Sequence, residues 1–280
     1  PDGWGLEAGV NIYGNRNKLV ALASEQERDE SNWWFVGHPI DVIYDHEYIG
    51  IWQEDDPYLD ILEPGGNPGM IKVKYDGEFN PDGTPVRAIG PADRQIISLE
   101  PTFQGGFNTR LSYKQLTFDM IGSFKQGGKL ISTLHSGTGY LNMLSGRRNN
   151  VDVDYWTPDN PDGKYPLPGG ITSGDNPKYA NTLGYFDASY LKIRTMTLGY
   201  NFSASSWLEN AGIRELRVYA SVQNPFVLFS PFNNETGLDP EPNSYGDENA
   251  AVTSYHRRLL TLGTNAPATR NYMLGINFTF

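Results

Sequence analysis

The chain has 280 residues and a formal net charge of −11, from 33 acidic and 22 basic side chains. Hydrophobic residues make up 38% of it, and no apolar run approaches the roughly eighteen residues of a transmembrane helix, so a helical membrane protein is excluded. The acidic balance argues against a nucleic-acid partner, because phosphate binding needs basic patches. Cysteine is absent, which excludes disulfides and thiolate chemistry.

Alternation of apolar and polar residues predicts an antiparallel all-β protein. The first predicted strand is residues 6–13, and the second is residues 36–52, which are rich in β-branched and aromatic side chains. Pro39 should confine the paired part of the second strand to the residues that follow it. About fifty residues with frequent Pro-Gly punctuation come next and predict a long loop.

The clearest predicted hairpin is residues 103–124, two long alternating segments joined by a tight turn near Gln115. So short a connection requires the two strands to be antiparallel neighbours. Residues 127–185 are rich in Gly, Pro and Asn and predict a second long loop.

Two further strands are predicted at residues 186–202 and 216–222. The phase of the alternation reverses in the first of them, which predicts either a bulge or an exit from the membrane near Arg194. Residues 225–269 predict a third long loop before the last strand, residues 270–280. That last strand has aromatic residues at both ends of its apolar face and aliphatic residues between them, a pattern that suits a lipid bilayer.

Connection lengths favour a transmembrane β-barrel with short periplasmic turns and long extracellular loops, because the three longest loops fall on one side. Seven strands cannot close a barrel, and unpaired strand edges in hydrocarbon cost several kcal/mol per group. We therefore expect residues 1–280 to be the C-terminal part of a larger barrel, with the plug domain and earlier strands outside this chain. A soluble β-sandwich that binds carbohydrate would share the alternation and stays an alternative.

Several short blocks, in a fixed order, carry a family resemblance. They are GHPI (37–40), YIGIWQ (48–53), YDGEFNPDG (75–83), PTFQGGFN (101–108), YWTPDNP (155–161), FDASYLKIRTMTLGYNF (186–202), LRVYASVQNPF (216–226) and GINFTF (275–280). With these blocks the chain resembles the C-terminal portion of SusC-type (SusC/RagA-like) TonB-dependent outer-membrane transporters of Bacteroidetes. The resemblance covers nearly the whole chain, and the blocks at 186–202 and 216–226 are its most specific part.

The resemblance implies a 22-stranded barrel with an N-terminal plug, of which this chain would supply about the last seven strands. It implies import of oligosaccharides or oligopeptides together with a SusD-like surface lipoprotein, powered by the TonB–ExbB–ExbD complex through the missing N-terminal part. A siderophore or vitamin receptor of the same barrel class is a further alternative. No cofactor is implied.

The candidate functional residues are those that could contact a cargo or line its path. In the long loops, the candidate substrate-binding residues are Trp52, Tyr140, Arg147, Arg148, Asn149, Tyr155 and Trp156. Arg110, Asp119 and Lys125 are predicted to face the lumen. Aromatic residues in loops also pack loops together, and charged lumen residues also bind a plug, so these structural roles stay open.

Metal binding and catalysis are not expected. Many relatives carry a calcium-loop-like sequence where this chain has residues 75–83, but Pro81 disturbs the spacing of Asp76, Asn80 and Asp82. The four histidines, the candidates for acid-base chemistry, are dispersed, and no HExxH, GxSxG or phosphate-loop motif occurs. No pair of carboxylates is picked out by spacing for glycosidase chemistry.

Overall fold

The computed structural model describes residues 3–23, 26–132, 134–136, 152–167, 181–202, 208, 210–241, 261–262 and 268–280. In chain order the strands are β1 (Trp4–Tyr13), β2 (Arg28–Asp29), β3 (Trp34–Phe35), β4 (Val42–His46), β5 (Tyr48–Ile51), β6 (Ile71–Val73), β7 (Arg94–Ser98), β8 (Pro101–Tyr113), β9 (Leu116–Gly127), β10 (Lys129–Ser132), β11 (Tyr185–Asp187), β12 (Tyr190–Phe202), β13 (Glu215–Leu228), β14 (Thr261–Leu262) and β15 (Asn271–Thr279). The helices are α1 (Leu59–Leu62), a 3-10 turn at Pro91–Asp93, and α2 (Pro231–Thr236). None of the helices in the described part of the chain is long and apolar enough to cross a membrane.

A six-stranded antiparallel sheet, which we call the wall, contains all the long strands in the order β1-β8-β9-β12-β13-β15. The predicted hairpin is confirmed: β8 and β9 pair along almost their whole length, from Phe103 with Gln126 to Tyr113 with Leu116. The turn between them has only two residues, and Lys114 takes a left-handed backbone conformation with φ 52°. The remaining strands belong to the chain segments that connect one wall strand to the next, and they form small separate sheets.

The predicted bulge is also confirmed. The pairing of β12 with both of its neighbours shifts between Ile193 and Thr195, and Arg194 is the extra residue opposite β9. On β13 the matching irregularity includes Asn224, which has φ 52°. The bulge keeps the alternation of β12 in phase with its neighbours on both sides of the break.

The structure corrects the prediction of a second wall strand at residues 36–52. This segment supplies β4 and β5, which pair with β7 and β6 rather than with the wall. All five residues of β4 are buried, so the segment lacks the one-sided pattern of a wall strand. The wall therefore has six strands where seven were predicted, and its two outer strands, β1 and β15, run in opposite directions rather than in the same one.

Long connections leave one rim of the wall and short ones leave the other. We call the long ones L1 (residues 14–100), L2 (128–189) and L3 (229–270). The short connections join β8 to β9 and β12 to β13. Along the six wall strands, long and short connections alternate without exception. This is expected of antiparallel neighbours, because successive connections between them lie at opposite rims of the sheet.

The buried apolar clusters among the described residues lie in the loops, because the wall is a single layer of sheet. The largest joins L1 to L2 and contains Trp52, Leu62, Met70, Ile71, Val73, Ile89, Tyr165 and Leu183. A second joins L2 to L3 and contains Leu130, Phe186, Ala188 and Phe232. The described parts of the three loops therefore pack on one another at one rim of the wall.

Candidate functional site

One face of the wall, which we call the apolar face, carries exposed hydrophobic side chains across its full width. The exposed members in the middle of the strands include Leu6, Val10, Leu111, Leu198, Val218, Leu274 and Ile276. Leu274 is 86% exposed. Large apolar side chains exposed over so broad an area mark a surface that another apolar phase covers.

Aromatic rings lie at both ends of the apolar face. At the turn side, the rings of Trp4 and Tyr113 lie 4.6 Å apart, and those of Phe278 and Phe280 lie 5.2 Å apart. At the loop side, Phe226 and Tyr272 are exposed. Aliphatic residues between two aromatic belts match the lipid-facing surface of a membrane barrel.

The opposite face of the wall, the polar face, carries the three residues predicted to line a lumen, and it brings two of them into contact. Arg110 and Asp119 are direct partners across β8 and β9, and the Arg110 Nε donates to Asp119 Oδ1 at 2.7 Å. Lys125 lies six residues farther along β9 than Asp119. Because side chains of a strand alternate between its two faces, an even separation puts both residues on the same face. These assignments follow from the register of the sheet.

A second arginine, which the sequence did not single out, completes an ionic group on the polar face. Arg217 of β13 reaches across β12, and its Nη2 lies 3.6 Å from Asp119 Oδ2. The crossing passes over Gly199, where a Cβ atom would lie 2.9 Å from the Arg217 guanidinium. The absence of a side chain at Gly199 lets this ion pair span three strands.

The bulge at Arg194 anchors L3 to the wall. Lys192 Nζ lies 2.6 Å from Asp239 Oδ2 and 3.1 Å from Glu241 Oε2. The guanidinium of Arg194 also binds Glu241, and the Tyr190 hydroxyl donates to Glu241 at 2.7 Å. Burial raises the pKa of Glu241, but the hydrogen bonds from Tyr190 and Lys192, with the charge of Arg194, outweigh it and hold that pKa below its usual value.

A polar cleft of about 290 Å³ opens at the loop-side end of the polar face. Its floor includes Tyr13, Gln104 and Lys125, which form one row across β1, β8 and β9. Lys129 and Glu100 line it from the loops. Of this group only Lys125 was predicted from the sequence, because residues as far apart as Tyr13 and Lys129 meet only through the register of the sheet.

Two of the predicted substrate-binding residues are buried in the loop body. Trp52 is 1% exposed, donates from Nε1 to Glu63 Oε2 at 3.0 Å, and has Lys72 Nζ 4.5 Å from its ring centroid. Trp156 is 3% exposed and donates from Nε1 to Gln53 Oε1 at 2.8 Å. Both rings thus pack the loops together in this structure and present no face to a ligand.

The other predicted loop contacts divide into one exposed residue and four that lie outside the described residues. Tyr155 is 43% exposed and stands next to the buried Trp156. Tyr140, Arg147, Arg148 and Asn149 lie outside the described residues. Tyr155 is therefore the described aromatic residue of that set that can contact a ligand.

The loops are also joined by polar contacts. Lys164 of L2 forms an ion pair with Glu235 of L3 at 2.6 Å, and the Tyr165 hydroxyl donates to Glu235 at 3.0 Å. The Tyr48 hydroxyl of L1 donates to the carbonyl of Lys164. Burial raises the pKa of Tyr48 to about 12, and the charge of Glu235 adds to that effect.

The segment that resembles a calcium loop is held by its own hydrogen bonds. Asp82 Oδ1 accepts from the Thr84 hydroxyl at 2.6 Å, and the Asn80 amide donates to the same hydroxyl at 2.9 Å. The nearby buried Asp93 accepts from Arg87 at 2.6 and 3.0 Å. Across the described part of the chain, no three His, Asp or Glu side chains are grouped so that they could hold a metal ion.

Comparison with known proteins gives consistent matches at low identity. No protein-family model matches the chain. TonB-dependent receptor P3 of Formosa agariphila is 26% identical over 293 aligned positions, which cover 96% of this chain and 26% of the relative. TonB-dependent receptor P26 of the same organism is 28% identical and covers 100% of this chain and 27% of the relative. The chain thus spans about a quarter of the length of the curated relatives it matches.

Solved structures share the fold over the whole chain. The RagAB peptide importer in its closed-closed state superposes with a TM-score of 0.67 at 21% identity, covering 100% of this chain and 28% of that chain. The RagAB peptide transporter gives a TM-score of 0.65 at 20% identity and covers 99% and 27%. The chain is therefore similar in sequence to TonB-dependent receptors and similar in fold to the RagAB structures, over about a quarter of the length of each.

Proposed function

We propose that this chain forms part of the barrel wall of a TonB-dependent importer in the outer membrane. The apolar face lies against lipid, the polar face lines the lumen, and the packed loops L1 to L3 lie outside the cell. One observation carries this proposal: a six-stranded sheet with a continuous exposed apolar face and all its long connections on one rim. A soluble sandwich would cover such a face with a second sheet, and no second sheet packs on it among the described residues.

The edges of the wall support a larger barrel. Within the described chain, β1 pairs only with β8 and β15 pairs only with β13. The outer edges of β1 and β15 would leave backbone groups unpaired in hydrocarbon, which costs several kcal/mol for each group. We infer that the rest of the polypeptide supplies further strands and a plug domain, and that residues 1–280 are its C-terminal barrel part.

The polar lining and the similar proteins support the proposed cargo. The RagAB neighbours are described as a peptide transporter and importer. The polar face offers charged groups and amides that bind peptide backbones, and it would equally bind sugar hydroxyls. We propose oligopeptides or oligosaccharides as cargo, a SusD-like lipoprotein as the partner on the loop side, and the TonB complex as the energy source. Tyr155 is the proposed aromatic contact from the loops.

Uptake by cells that make the full-length transporter tests the proposal. We expect a pool of labelled oligopeptides or oligosaccharides to be taken up saturably when TonB is functional and not when TonB is inactivated. Purification of the transporter in detergent should also recover a surface lipoprotein. Equal uptake with and without TonB, or no uptake of either pool, would contradict the proposal.

A further inference from the structure

The cleft at the loop-side end of the polar face shows what kind of cargo group this wall selects. We propose that Lys125 and Lys129 form a subsite for a carboxylate, supplied by a peptide C-terminus or by an acidic sugar. The inference rests on the proposed function, because it takes the polar face to be the surface that cargo contacts. It goes further by assigning two residues and a chemical group.

Lys125 reaches the cleft from the floor. It pairs with Gln104 of β8 in the wall, and Gln104 pairs with Tyr13 of β1. A row of tyrosine, amide and ammonium groups thus spans three strands beside the cleft. Hydroxyl and amide groups beside a cation can bind the rest of a carboxylate-bearing ligand through hydrogen bonds.

Lys129 reaches the same cleft because the chain turns sharply after β9. Gly127 has φ 75° and Gly128 has φ 79°, conformations that L side chains rarely adopt. Space is limiting as well, since a Cβ atom at Gly128 would lie 2.8 Å from the carbonyl oxygen of Leu99. Because of the two glycines, Lys125 and Lys129, which are four residues apart in sequence, line the same cleft. Lys125 lies at its floor and Lys129 at its side.

Neither lysine has a direct ionic partner in the described part of the chain, and the charges of Glu241 and Asp187 act on Lys125 only from farther away. Lys125 is half-buried, and no described residue forms a hydrogen bond or ion pair with the ammonium group of Lys125 or Lys129. A charge removed from water without a partner is costly, so a ligand anion that supplies one is stabilised. A carboxylate between two ammonium groups makes charge-assisted hydrogen bonds, which are the stronger class.

Acidic residues that also line the cleft restrict where the carboxylate can bind. Glu100 and Asp41 both line the cleft, and Glu100 accepts a hydrogen bond from the Asn17 amide. Like charges repel, so these two side chains would direct a ligand carboxylate away from themselves and toward the lysines. A neutral sugar would gain only hydrogen bonds in this cleft, without the ionic contribution.

Binding to the purified full-length transporter tests the subsite with four probes. The probes are an alanine pentapeptide with a free C-terminus, the same peptide amidated, trigalacturonic acid, and neutral maltotriose. We expect at least one acid to bind about tenfold more tightly than its neutral counterpart, and whichever pair shows this preference identifies the source of the carboxylate. Added salt should reduce the preference.

The variant Lys125→Gln/Lys129→Gln should bind the preferred acid about as weakly as its neutral counterpart. Lys114→Gln, at the opposite rim, is the matched control and should keep the preference. Should the double variant fail to assemble, Lys129→Gln alone carries the test, because Lys129 lies outside the wall. Equal binding of acids and neutral counterparts by the unmodified protein, or an unchanged preference in the lysine variants, would overturn the subsite.

Uptake separates the subsite from the proposed function. Suppose that the lysine variants retain TonB-dependent uptake and bind the acid probes with the same preference as the unmodified protein. Then only the subsite is wrong. If the unmodified transporter shows no TonB-dependent uptake of any pool, the proposed function is wrong, whatever the purified protein binds.

Discussion

Gly199 shows how a single missing side chain shapes the polar face. Arg217 lies over this glycine and so reaches Asp119, which also binds Arg110. The two arginines share one carboxylate across four neighbouring strands, from β8 to β13. Because all three side chains are partly exposed, the arrangement positions charge along the polar face more than it stabilises the fold.

We predict that Gly199→Val displaces the guanidinium of Arg217 and lowers the free energy of unfolding by about 1 kcal/mol. Urea unfolding of the full barrel, followed by its mobility on unheated gels, measures this change. Gly3→Val is the control, since nothing lies within 4 Å of a Cβ atom there. In an Arg217→Gln background the cost of Gly199→Val should fall to the part caused by Thr117, whose Oγ1 also lies 2.9 Å from the added Cβ, and a cost that stayed the same would disprove the contact with Arg217.

His135 is a second residue whose surroundings determine its behaviour. It is buried between Phe186 and Phe232, with ring centroids 5.6 and 6.4 Å away, and its Nδ1 lies 2.7 Å from the Ser132 hydroxyl. Burial lowers the pKa of His135, and the charge of Glu235 only partly offsets this effect. The folded loops therefore favour the neutral ring.

Acid should consequently weaken the packing of L2 on L3. The pKa of His135 in the folded protein lies below its unfolded value of about 6.5. Its stabilising contribution is complete above about pH 6.5 and is lost as the pH falls through the folded pKa. Hydrogen exchange at Leu130 and Phe186, corrected for intrinsic rates, should show less protection at about pH 5 than at about pH 7.5. A variant His135→Phe that kept the full pH dependence would rule out this assignment.

At the scale of elements, the bulge in β12 connects the wall to L3. The bulge places Arg194 next to Lys192 on the polar face, where both bind Glu241. The Lys192 side chain is only 5% exposed, so its charge depends on Asp239 and Glu241 for compensation. The ion pair between Lys164 and Glu235 differs, because those side chains are much more exposed, at 45% and 36%.

We predict that Asp239→Asn/Glu241→Gln lowers the stability of the L3 anchor by about 3–5 kcal/mol, because it leaves a buried lysine unpaired. Limited proteolysis of L3 on intact cells should become much faster. Glu235→Gln is the matched control, because it removes the more exposed ion pair with Lys164. It should lower stability by at most about 1 kcal/mol and change proteolysis little. Equal protease sensitivity of the two variants would show that L3 is held by its apolar contacts instead.

The wall strands were predictable because the two faces of each strand carry different side chains, apolar on one face and polar on the other. β8, β9 and β15 alternate between apolar and polar faces, β13 does so up to its irregularity at Asn224, and the reversal of phase in β12 located the bulge at Arg194. Residues 36–52 were misplaced because their composition favours strands while β4 is buried on both sides, so composition gave the element type and not its place. The burial of Trp52 and the meeting of Lys125 with Lys129 depend on contacts between distant segments, which a single sequence does not reveal.

At the scale of the whole molecule, the wall separates two environments. In β15, Leu274 lies on the apolar face and Met273 on the polar face, and both are exposed in this chain, at 86% and 46%. A sheet in water would tolerate a charge at either position. A sheet between lipid and a wet lumen would tolerate it only on the lumen side.

Leu274→Arg should therefore cost about 2–4 kcal/mol and reduce assembly in the outer membrane, whereas Met273→Arg should assemble normally. The amount of folded, heat-modifiable protein in outer-membrane fractions measures the difference. Similar assembly of the two arginine variants would place both residues in the same environment and contradict a lipid-facing apolar face.

The most direct test of the account is a spin-label scan along β15, made possible because this chain contains no cysteine. Each residue of Asn271–Thr279 is replaced in turn by a labelled cysteine in the full-length transporter, reconstituted in membranes, with any cysteine elsewhere removed. The account predicts a period of two: high oxygen accessibility at Tyr272, Leu274, Ile276 and Phe278, and high accessibility to a water-soluble nickel chelate at the residues between them. Uniform accessibility along the strand, or the opposite phase, would contradict it.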